Sequence, residues 1–168
     1  MKILSLVRHA KSSWDDPALE DRDRPLSPRG LRDAPHMAVH LARLSNPPDA
    51  LVSSPALRAM ATAEIFARQL GRAPESILPE PSLYEAHWTV LLDAVRGFPE
   101  EWNHVLLFGH NPGFEELAGN LTGELLAGLP TCSVLELQLC CKSWKEAKTR
   151  RAVLSRLFFP KMFAWGCP

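Results

Sequence analysis

Three short apolar segments, each followed by side chains that can hold an anion, constrain the fold of this chain more than any other feature. Residues 3–7 lead into Arg8 and His9, residues 50–52 lead into a serine-rich turn before Arg58, and residues 105–108 lead into Gly109 and His110. Short apolar runs bounded by polar residues are typical of buried strands. Ligands of open α/β sheets bind at the carboxyl ends of the strands, so these three ends predict one shared site.

Segments with helical periodicity separate these strands. One helix is expected to begin at Ser27-Pro28, because serine caps helices and proline suits the first helical position. The other predicted elements are helices over about 55–70 before a left-handed Gly71, over about 89–96 and from about 112 or 113, and strands over 133–139 and 152–159, the last at an edge. This alternation predicts a three-layer α/β/α sandwich with a central, mostly parallel sheet. A length of 168 residues suits a single domain over 1–168.

The overall composition excludes several classes of function. Lys and Arg number 19, as do Asp and Glu, so no global basic field favours nucleic acid or an anionic membrane. No apolar stretch approaches the ~20 residues that span a bilayer, and no cleavable signal precedes the first strand. The four cysteines lack C-x-x-C spacing and are interpreted as buried free thiols, so a cytoplasmic location is expected. The apolar ending 158–165 covers either a sheet edge or a dimer seam, which leaves the oligomeric state open.

The clustered residue types match the chemistry of phosphoryl transfer. During transfer, a phosphoryl group spreads negative charge over its equatorial oxygens. The guanidinium groups of Arg8 and Arg58 can bind these oxygens. The imidazoles of His9 and His110 can act as nucleophile or donor near neutral pH. Taken alone, an Arg-His pair usually belongs to a solvated loop, and a single histidine at a strand end is usually structural. Two arginines and two histidines at three strand ends together instead favour a site for a phosphoryl group.

Several motifs resemble those of a known family. The run 7–14, with Arg8 and His9, resembles the R-H-G region of the histidine phosphatase superfamily, which includes the cofactor-dependent phosphoglycerate mutases. The segments 53–59 and 109–112 resemble that superfamily's second motif and its second catalytic histidine. The short length and three further segments resemble the small phosphohistidine phosphatases typified by SixA; these segments are 23–30, Leu83-Tyr84 and 129–131. The motif's third residue is Ala10 here, a change that this branch often tolerates.

This resemblance implies a covalent mechanism without metal or cofactor. His9 would attack phosphorus and carry the phosphoryl group, which water then hydrolyses. Arg8, Arg58 and His110 would bind and neutralise the transferring oxygens, with His110 as an imidazolium. The residues themselves agree, because the sequence lacks a carboxylate cluster of the kind that holds magnesium. The acidic residues of 15–23 lie in a loop without ligand spacing and are interpreted as solvated or paired with arginine.

Three residues have less certain roles. By the resemblance, Glu85 is the candidate acid that protonates a leaving group, and the alternative is a surface glutamate on an irregular loop. Ser12 could donate to phosphate or stabilise its own loop. Asp15 stands where the mutases have an asparagine that helps to bind phosphate, and it would repel a dianion unless protonated or turned away. Asp15 therefore argues against mutase activity.

Three classes of function follow. The leading hypothesis is a phosphatase that acts on protein phosphohistidine, so that the partner is a phosphorylated protein. The alternatives are a small-molecule phosphomonoesterase or a phosphoglycerate mutase-like phosphotransferase acting on a small phosphoester, and a non-catalytic module that binds a phospholigand. Little chain separates Arg58 from His110, so a lid over the pocket is not expected and the site should be open.

Overall fold

A computed structural model describes residues 1–126 and 128–163. The strands are β1 (Lys2–Arg8), β2 (Ala50–Ser53), β3 (Ile77–Pro79), β4 (His104–Gly109), β5 (Val134–Leu139) and β6 (Ala152–Phe158). The helices are α1 (Pro28–Leu44), α2 (Leu57–Gln69), α3 (Trp88–Arg96) and α4 (Gly113–Thr122). Short 3-10 turns occupy Asp21–Asp23, Pro74–Ser76, Pro81–Leu83, Trp144–Glu146 and Pro160–Met162. None of the helices in the described part of the chain is long and apolar enough to cross a membrane.

The strands form one six-stranded sheet in the order β3-β2-β4-β1-β5-β6. The first four strands in this order run parallel to their neighbours, whereas β5 pairs antiparallel with both β1 and β6. The predicted mostly parallel central sheet is therefore confirmed, and β6 lies at an edge as expected. Serine at position 27 caps α1, as predicted, by accepting a hydrogen bond from the amide of Gly30.

Two apolar cores cover the two faces of the sheet. Leu4 and Leu6 of β1 pack in the core that contains α3 and α4. Leu106 and Phe108 of β4 lie in the other core, which contains α1 and α2, and the ring of Phe108 meets Phe66 edge-on at 5.4 Å. Because successive strand residues point to opposite faces, a fully apolar strand buries side chains in both cores. This burial produces the predicted three layers.

The structure differs from the prediction at two places. Strand β3 was not predicted, because it contains only Ile77–Pro79 in a proline-rich stretch and pairs only with β2 at the sheet edge. Of the cysteines, Cys132 is buried as expected but Cys140 is exposed, since β5 ends one residue before it. Cys167 and the last residues of the predicted apolar ending lie outside the described residues.

The loop between β1 and α1 is held against the start of α1. Both the amide and the hydroxyl of Ser27 donate to the carbonyl oxygen of Lys11, at 2.8 Å and 3.0 Å. Gly30 lies so close that a Cβ atom there would meet the same carbonyl oxygen at 2.2 Å. This close approach fixes where the polar loop 11–26 leaves the end of β1.

We expect Gly30→Ala to destabilise the protein by about 1–3 kcal/mol, because the methyl group overlaps main-chain atoms that cannot move aside. Gly97→Ala is the matched control, since Gly97 has helical dihedral angles and a Cβ atom there would meet nothing closer than 3.4 Å. That control should be neutral or stabilising by up to about 1 kcal/mol. Urea unfolding of both variants measures the difference, and equal stability of the two would contradict the close approach.

Candidate active site

His9 lies just beyond the end of β1, and its imidazole is held in one tautomer. Its Nδ1 is 2.7 Å from the carbonyl oxygen of Ala10, so Nδ1 carries the proton and donates it to that oxygen. The opposite nitrogen, Nε2, accepts from Nε of Arg58 at 3.3 Å. The amide of Ala10 in turn donates to the hydroxyl of Thr62 on α2 at 3.0 Å. His9 therefore presents an unprotonated Nε2 on a backbone tied to α2.

Arg58 extends from the first turn of α2 and is almost fully buried. Its Nη2 donates to Oδ2 of Asp21 at 2.8 Å, and its Nη1 donates to the carbonyl oxygen of the same residue. Nη2 also lies 3.4 Å from Nδ1 of His110. A single guanidinium group therefore links both histidines to the loop 11–26.

His110 follows β4 and faces the same space as His9, with the two ring centroids 5.3 Å apart. Since an arginine can only donate, Nδ1 of His110 accepts from Arg58, and Nε2 carries the proton. That proton is donated to the hydroxyl oxygen of Ser54, 2.8 Å away. The hydrogen bonds therefore favour a neutral imidazole.

The electrostatics of the site also favour neutral histidines. Burial, together with the neighbouring charges of Arg58, Arg8 and Arg24, lowers the pKa of His9 to about 4 against the opposing hydrogen bond to Ala10. Burial, His9 and Arg58 lower the pKa of His110 to about 3. In the protein without a bound anion His110 is therefore neutral, whereas the imidazolium was expected with the transferring phosphoryl group present and stays a prediction. A phosphoryl dianion beside the ring would favour its charged form.

Arg8 is the last residue of β1, and its side chain extends from the end of that strand. Its Nη1 donates to the carbonyl oxygen of Leu129, whereas its Nε is buried with no hydrogen-bond partner among the described residues. Burial lowers the pKa of Arg8 and Glu115 raises it, but a guanidinium group remains charged at neutral pH. Glu115 also accepts from the amide of Leu129 at 2.7 Å and so holds the segment that Arg8 contacts.

The loop 11–26 is organised around Arg24, which is buried. Its guanidinium group donates to Oγ of Ser12 at 2.6 Å, to the carbonyl oxygen of Ser13 at 3.0 Å and to Oδ1 of Asp21 at 2.8 Å. Oδ2 of Asp21 accepts a further bond from the hydroxyl of Tyr84 at 2.9 Å. Although partial burial opposes its charge, the bonds from Tyr84, Arg58 and Arg24 lower the pKa of Asp21 to about 2. The interpretation of this acidic run as paired with arginine is confirmed at Asp21.

Some of these groups line a cavity of about 200 Å³, whereas Asp21, Tyr84 and the predicted catalytic residue His110 are outside its lining. The cavity is lined by Arg8, His9, Lys11, Ser12, Trp14, Arg24, Arg58 and Thr131. No residue in this lining is a carboxylate. Elsewhere in the described ranges, no group of three or more His, Cys, Asp or Glu residues is placed to hold a metal ion.

The structure brings most of the predicted site residues together, but not all of them. Ser12 lines the cavity and its hydroxyl oxygen also accepts the bond from Arg24, so the loop-stabilising contact is present. Glu85 is exposed and does not line the cavity, because Tyr84 is the residue of that segment that turns toward His110, at 5.6 Å between ring centroids. Asp15 is exposed and accepts a hydrogen bond from Ser13 at 2.7 Å. Asp15 is therefore turned away, and its expected repulsion of a dianion gives no argument against a mutase.

Sequence reasoning assigned no site role to Lys11, Asp21 or Arg24. Lys11 and Arg24 line the cavity, and Asp21 positions Arg24 and Arg58, which also lines it. The available signal was the alternation of acidic and basic residues in 20–24, which indicates internal ion pairs but not their partners.

Comparisons with known proteins agree with this geometry. A family model described as the histidine phosphatase superfamily (branch 1) matches residues 4–124. An uncharacterized chloroplastic protein of Arabidopsis thaliana is 35% identical over 158 residues, which cover 86% of this chain and 69% of the relative. An uncharacterized protein of Mycobacterium tuberculosis is 36% identical over 96 residues, covering 51% of this chain and 60% of the relative.

Solved structures share the fold over nearly the whole chain. A candidate phosphohistidine phosphatase SixA from Agrobacterium tumefaciens is 27% identical with a TM-score of 0.81, and the match covers 95% of this chain and 98% of that one. A protein histidine phosphatase SixA in complex with tungstate also has a TM-score of 0.81 and the same coverage, but at 22% identity it supports the fold alone. The family model spans most of the chain, and its match includes the three strand ends that form the cavity. This chain therefore belongs to the histidine phosphatase superfamily, and it is a phosphatase of the SixA-like branch.

Proposed function

We propose that this phosphatase removes the phosphoryl group from phosphohistidine in proteins, through a phosphohistidine intermediate on His9. The observation that carries the proposal is a cavity that offers an unprotonated imidazole and several cations but no carboxylate in its lining. Such a cavity can accept a phosphoryl group, yet its lining contains no carboxylic acid to protonate a leaving alkoxide. A substrate whose leaving group needs no such acid fits this chemistry.

The first step is an attack by His9 on phosphorus. Nε2 already bears a free electron pair at neutral pH, and the Nδ1 proton is held by the carbonyl oxygen of Ala10 while positive charge develops on the ring. A bond forms between Nε2 and phosphorus as the bond from phosphorus to the substrate nitrogen breaks. The electron pair stays on that nitrogen, and a proton already on the other ring nitrogen of the substrate makes the leaving group a neutral imidazole. Water then attacks phosphorus in the His9 adduct, the bond from phosphorus to Nε2 breaks and its electron pair returns to Nε2. Inorganic phosphate leaves with the oxygen of that water, and the released proton passes to phosphate or to solvent.

Donors around His9 would stabilise the charge of the equatorial oxygens. Nε of Arg8 is buried and otherwise unpaired, so a phosphoryl oxygen would satisfy a donor that is costly to leave without a partner. Arg58 is fixed by Asp21 beside His9 before substrate binds, which avoids reorganisation during the reaction. His110 would gain a proton, or share that of Arg58, only when the dianion is present. These groups replace the charge that a metal would otherwise supply, and we propose that no metal is required.

The relatives support the same class of substrate. SixA proteins with this fold are described as phosphohistidine phosphatases, and the candidate from Agrobacterium tumefaciens is 27% identical over 95% of this chain. A mycobacterial glucosyl-3-phosphoglycerate phosphatase shares the fold at 16% identity and a TM-score of 0.69. Small phosphoesters are therefore included in the substrate test as the alternative class of substrate.

A substrate panel tests the function. We expect kcat/KM on a phosphohistidine-bearing protein to exceed that on 3-phosphoglycerate or a sugar phosphate, because only the first can leave without an enzyme acid. Activity should be unchanged in excess EDTA. A clear preference for one small metabolite would assign a metabolic role instead, and a loss on chelation that a divalent metal restores would refute the metal-free mechanism.

His9→Ala should abolish turnover and the covalent intermediate without unfolding the protein, because His9 contributes a site group rather than core packing. The adduct trapped on the unaltered protein should be labile to acid and stable to alkali, as a phosphoramidate is. His36→Ala, at an exposed position on α1, is the control and should keep full activity. An acid-stable adduct, or turnover by the His9 variant, would exclude this nucleophile.

Arg58→Ala should lower kcat by about 10²–10³-fold, the loss typical of removing one donor to a transition state. Vanadate should also inhibit the variant more weakly, because vanadate and the transferring phosphoryl group would bind the same guanidinium group. Arg68→Ala is the matched control on the same helix, where the side chain is exposed and pairs with Glu64. Comparable losses in the two variants would indicate a general effect on α2 rather than a role at phosphorus.

A further inference from the structure

Trp14 is an exposed aromatic residue at the rim of the cavity. Its side chain lines the cavity together with His9 and Arg58, yet 70% of the residue is accessible to solvent. A single exposed apolar residue is common on protein surfaces, but among the exposed apolar residues Trp14 is set apart by its place in the lining of the cavity. The tryptophan therefore has a surface available for a bound molecule.

The indole is supported from one side by a fixed cation. The guanidinium carbon of Arg24 lies 3.2 Å from the centroid of the Trp14 ring, which is a stacked contact. Arg24 cannot easily move, since its donors are bound to Ser12, Ser13 and Asp21. Its charge is also balanced by the carboxylate of Asp21. Arg24 therefore covers one face of the indole and holds it in place. The solvent-accessible area of Trp14 lies on the remainder of the residue.

We propose that Trp14 is a specificity-determining residue that stacks on a planar leaving group, so that the enzyme prefers phosphoryl groups attached to aromatic rings. This inference rests on the proposed phosphatase chemistry at His9. The phosphoryl group occupies the cationic interior of the cavity, and the leaving group extends past the rim where Trp14 lies. Aromatic pairs of this kind strengthen an interaction about twofold to tenfold beyond the effect of the area that they bury. An imidazole or phenol ring gains this contact, whereas an alkyl leaving group does not.

The test compares kcat/KM for three substrates whose leaving groups need no enzyme acid, which are a phosphohistidine peptide, phenyl phosphate and phosphoramidate. Each substrate is assayed with the unaltered enzyme, Trp14→Ala and Trp14→Phe, and the ratio of variant to unaltered enzyme cancels differences in intrinsic reactivity. Trp14→Ala should lower kcat/KM about fivefold to tenfold on both aromatic substrates and by less than twofold on phosphoramidate, whose leaving group has no ring. Trp14→Phe should retain most of the preference, because it keeps a flat ring.

Two controls separate stacking from damage to the cavity. The inhibition constant of inorganic phosphate, which has no leaving group, should be unchanged in Trp14→Ala. Val153→Ala, an exposed apolar residue on the edge strand β6, should leave all three ratios near one.

The outcomes distinguish this inference from the proposed function. Equal losses on all three substrates, no loss on any, or a loss confined to the peptide would each overturn the role of Trp14. If the peptide is not hydrolysed but phenyl phosphate still depends on Trp14, the phosphohistidine assignment fails while the aromatic contact stands. If the peptide is a good substrate but the ratio of variant to unaltered kcat/KM is the same for all three substrates, the proposed function stands and the role of Trp14 fails.

Discussion

The parallel register of β1, β4 and β2 is the constraint on which the rest of the site depends. The amide of His9 donates to the carbonyl oxygen of Gly109 at 3.0 Å, and the amide of Ser54 donates to that of Phe108 at 2.9 Å. These two bonds continue the ladder one step beyond the strands and hold three chain segments side by side. Because side chains alternate between the faces of a strand, a slip of one residue would turn Arg8 and His9 to the wrong sides. The apolar cores on both faces of the sheet oppose such a slip.

The proposed chemistry also explains the distribution of charge around the cavity. Arg8, Arg24 and Arg58 all lie near His9 and oppose its protonation, so cations that would bind the phosphoryl oxygens also keep the nucleophile neutral. Asp21 prevents this concentration of positive charge from becoming too costly, since it pairs with two of the three arginines from behind. Its low pKa of about 2 makes it a poor proton donor at neutral pH, and a positioning role suits it better. The same arrangement therefore serves stability and reactivity.

The sequence predicted the parts of the site that local pattern determines. Arg8, His9, Arg58 and His110 each follow an apolar strand or begin a helix, and the rule that ligands bind at strand ends places them together without any knowledge of side-chain geometry. The resemblance to the histidine phosphatases added roles to the same positions. Periodicity also predicted the helices, because each carries an apolar face long enough to detect.

The remainder of the site depends on contacts between residues that local pattern does not relate. Strand β3 is too short and too rich in proline to be distinguished from a loop, and it exists because β2 offers a partner. Whether Tyr84 or Glu85 turns toward His110 depends on the backbone of one irregular segment, where Glu85 adopts a positive φ of 47°. The pairing of Asp21 with Arg58 joins residues 37 positions apart in the sequence, and several other acidic residues of the loop were equally plausible partners.

The loop 11–26 separates recognition of the leaving group from recognition of phosphate. Arg8, His9 and Arg58 enter the cavity from a strand end and from α2, whose backbones are held by the sheet and by the bond between Ala10 and Thr62. Trp14 lies outside this framework and touches it through Arg24 alone among the contacts described above. Arg24 also binds Ser12 and Asp21, so a change at Arg24 would disturb both the phosphate cavity and its rim. A change at Trp14 alters only the rim, which makes position 14 the point where substrate preference can vary while the chemistry at His9 is preserved.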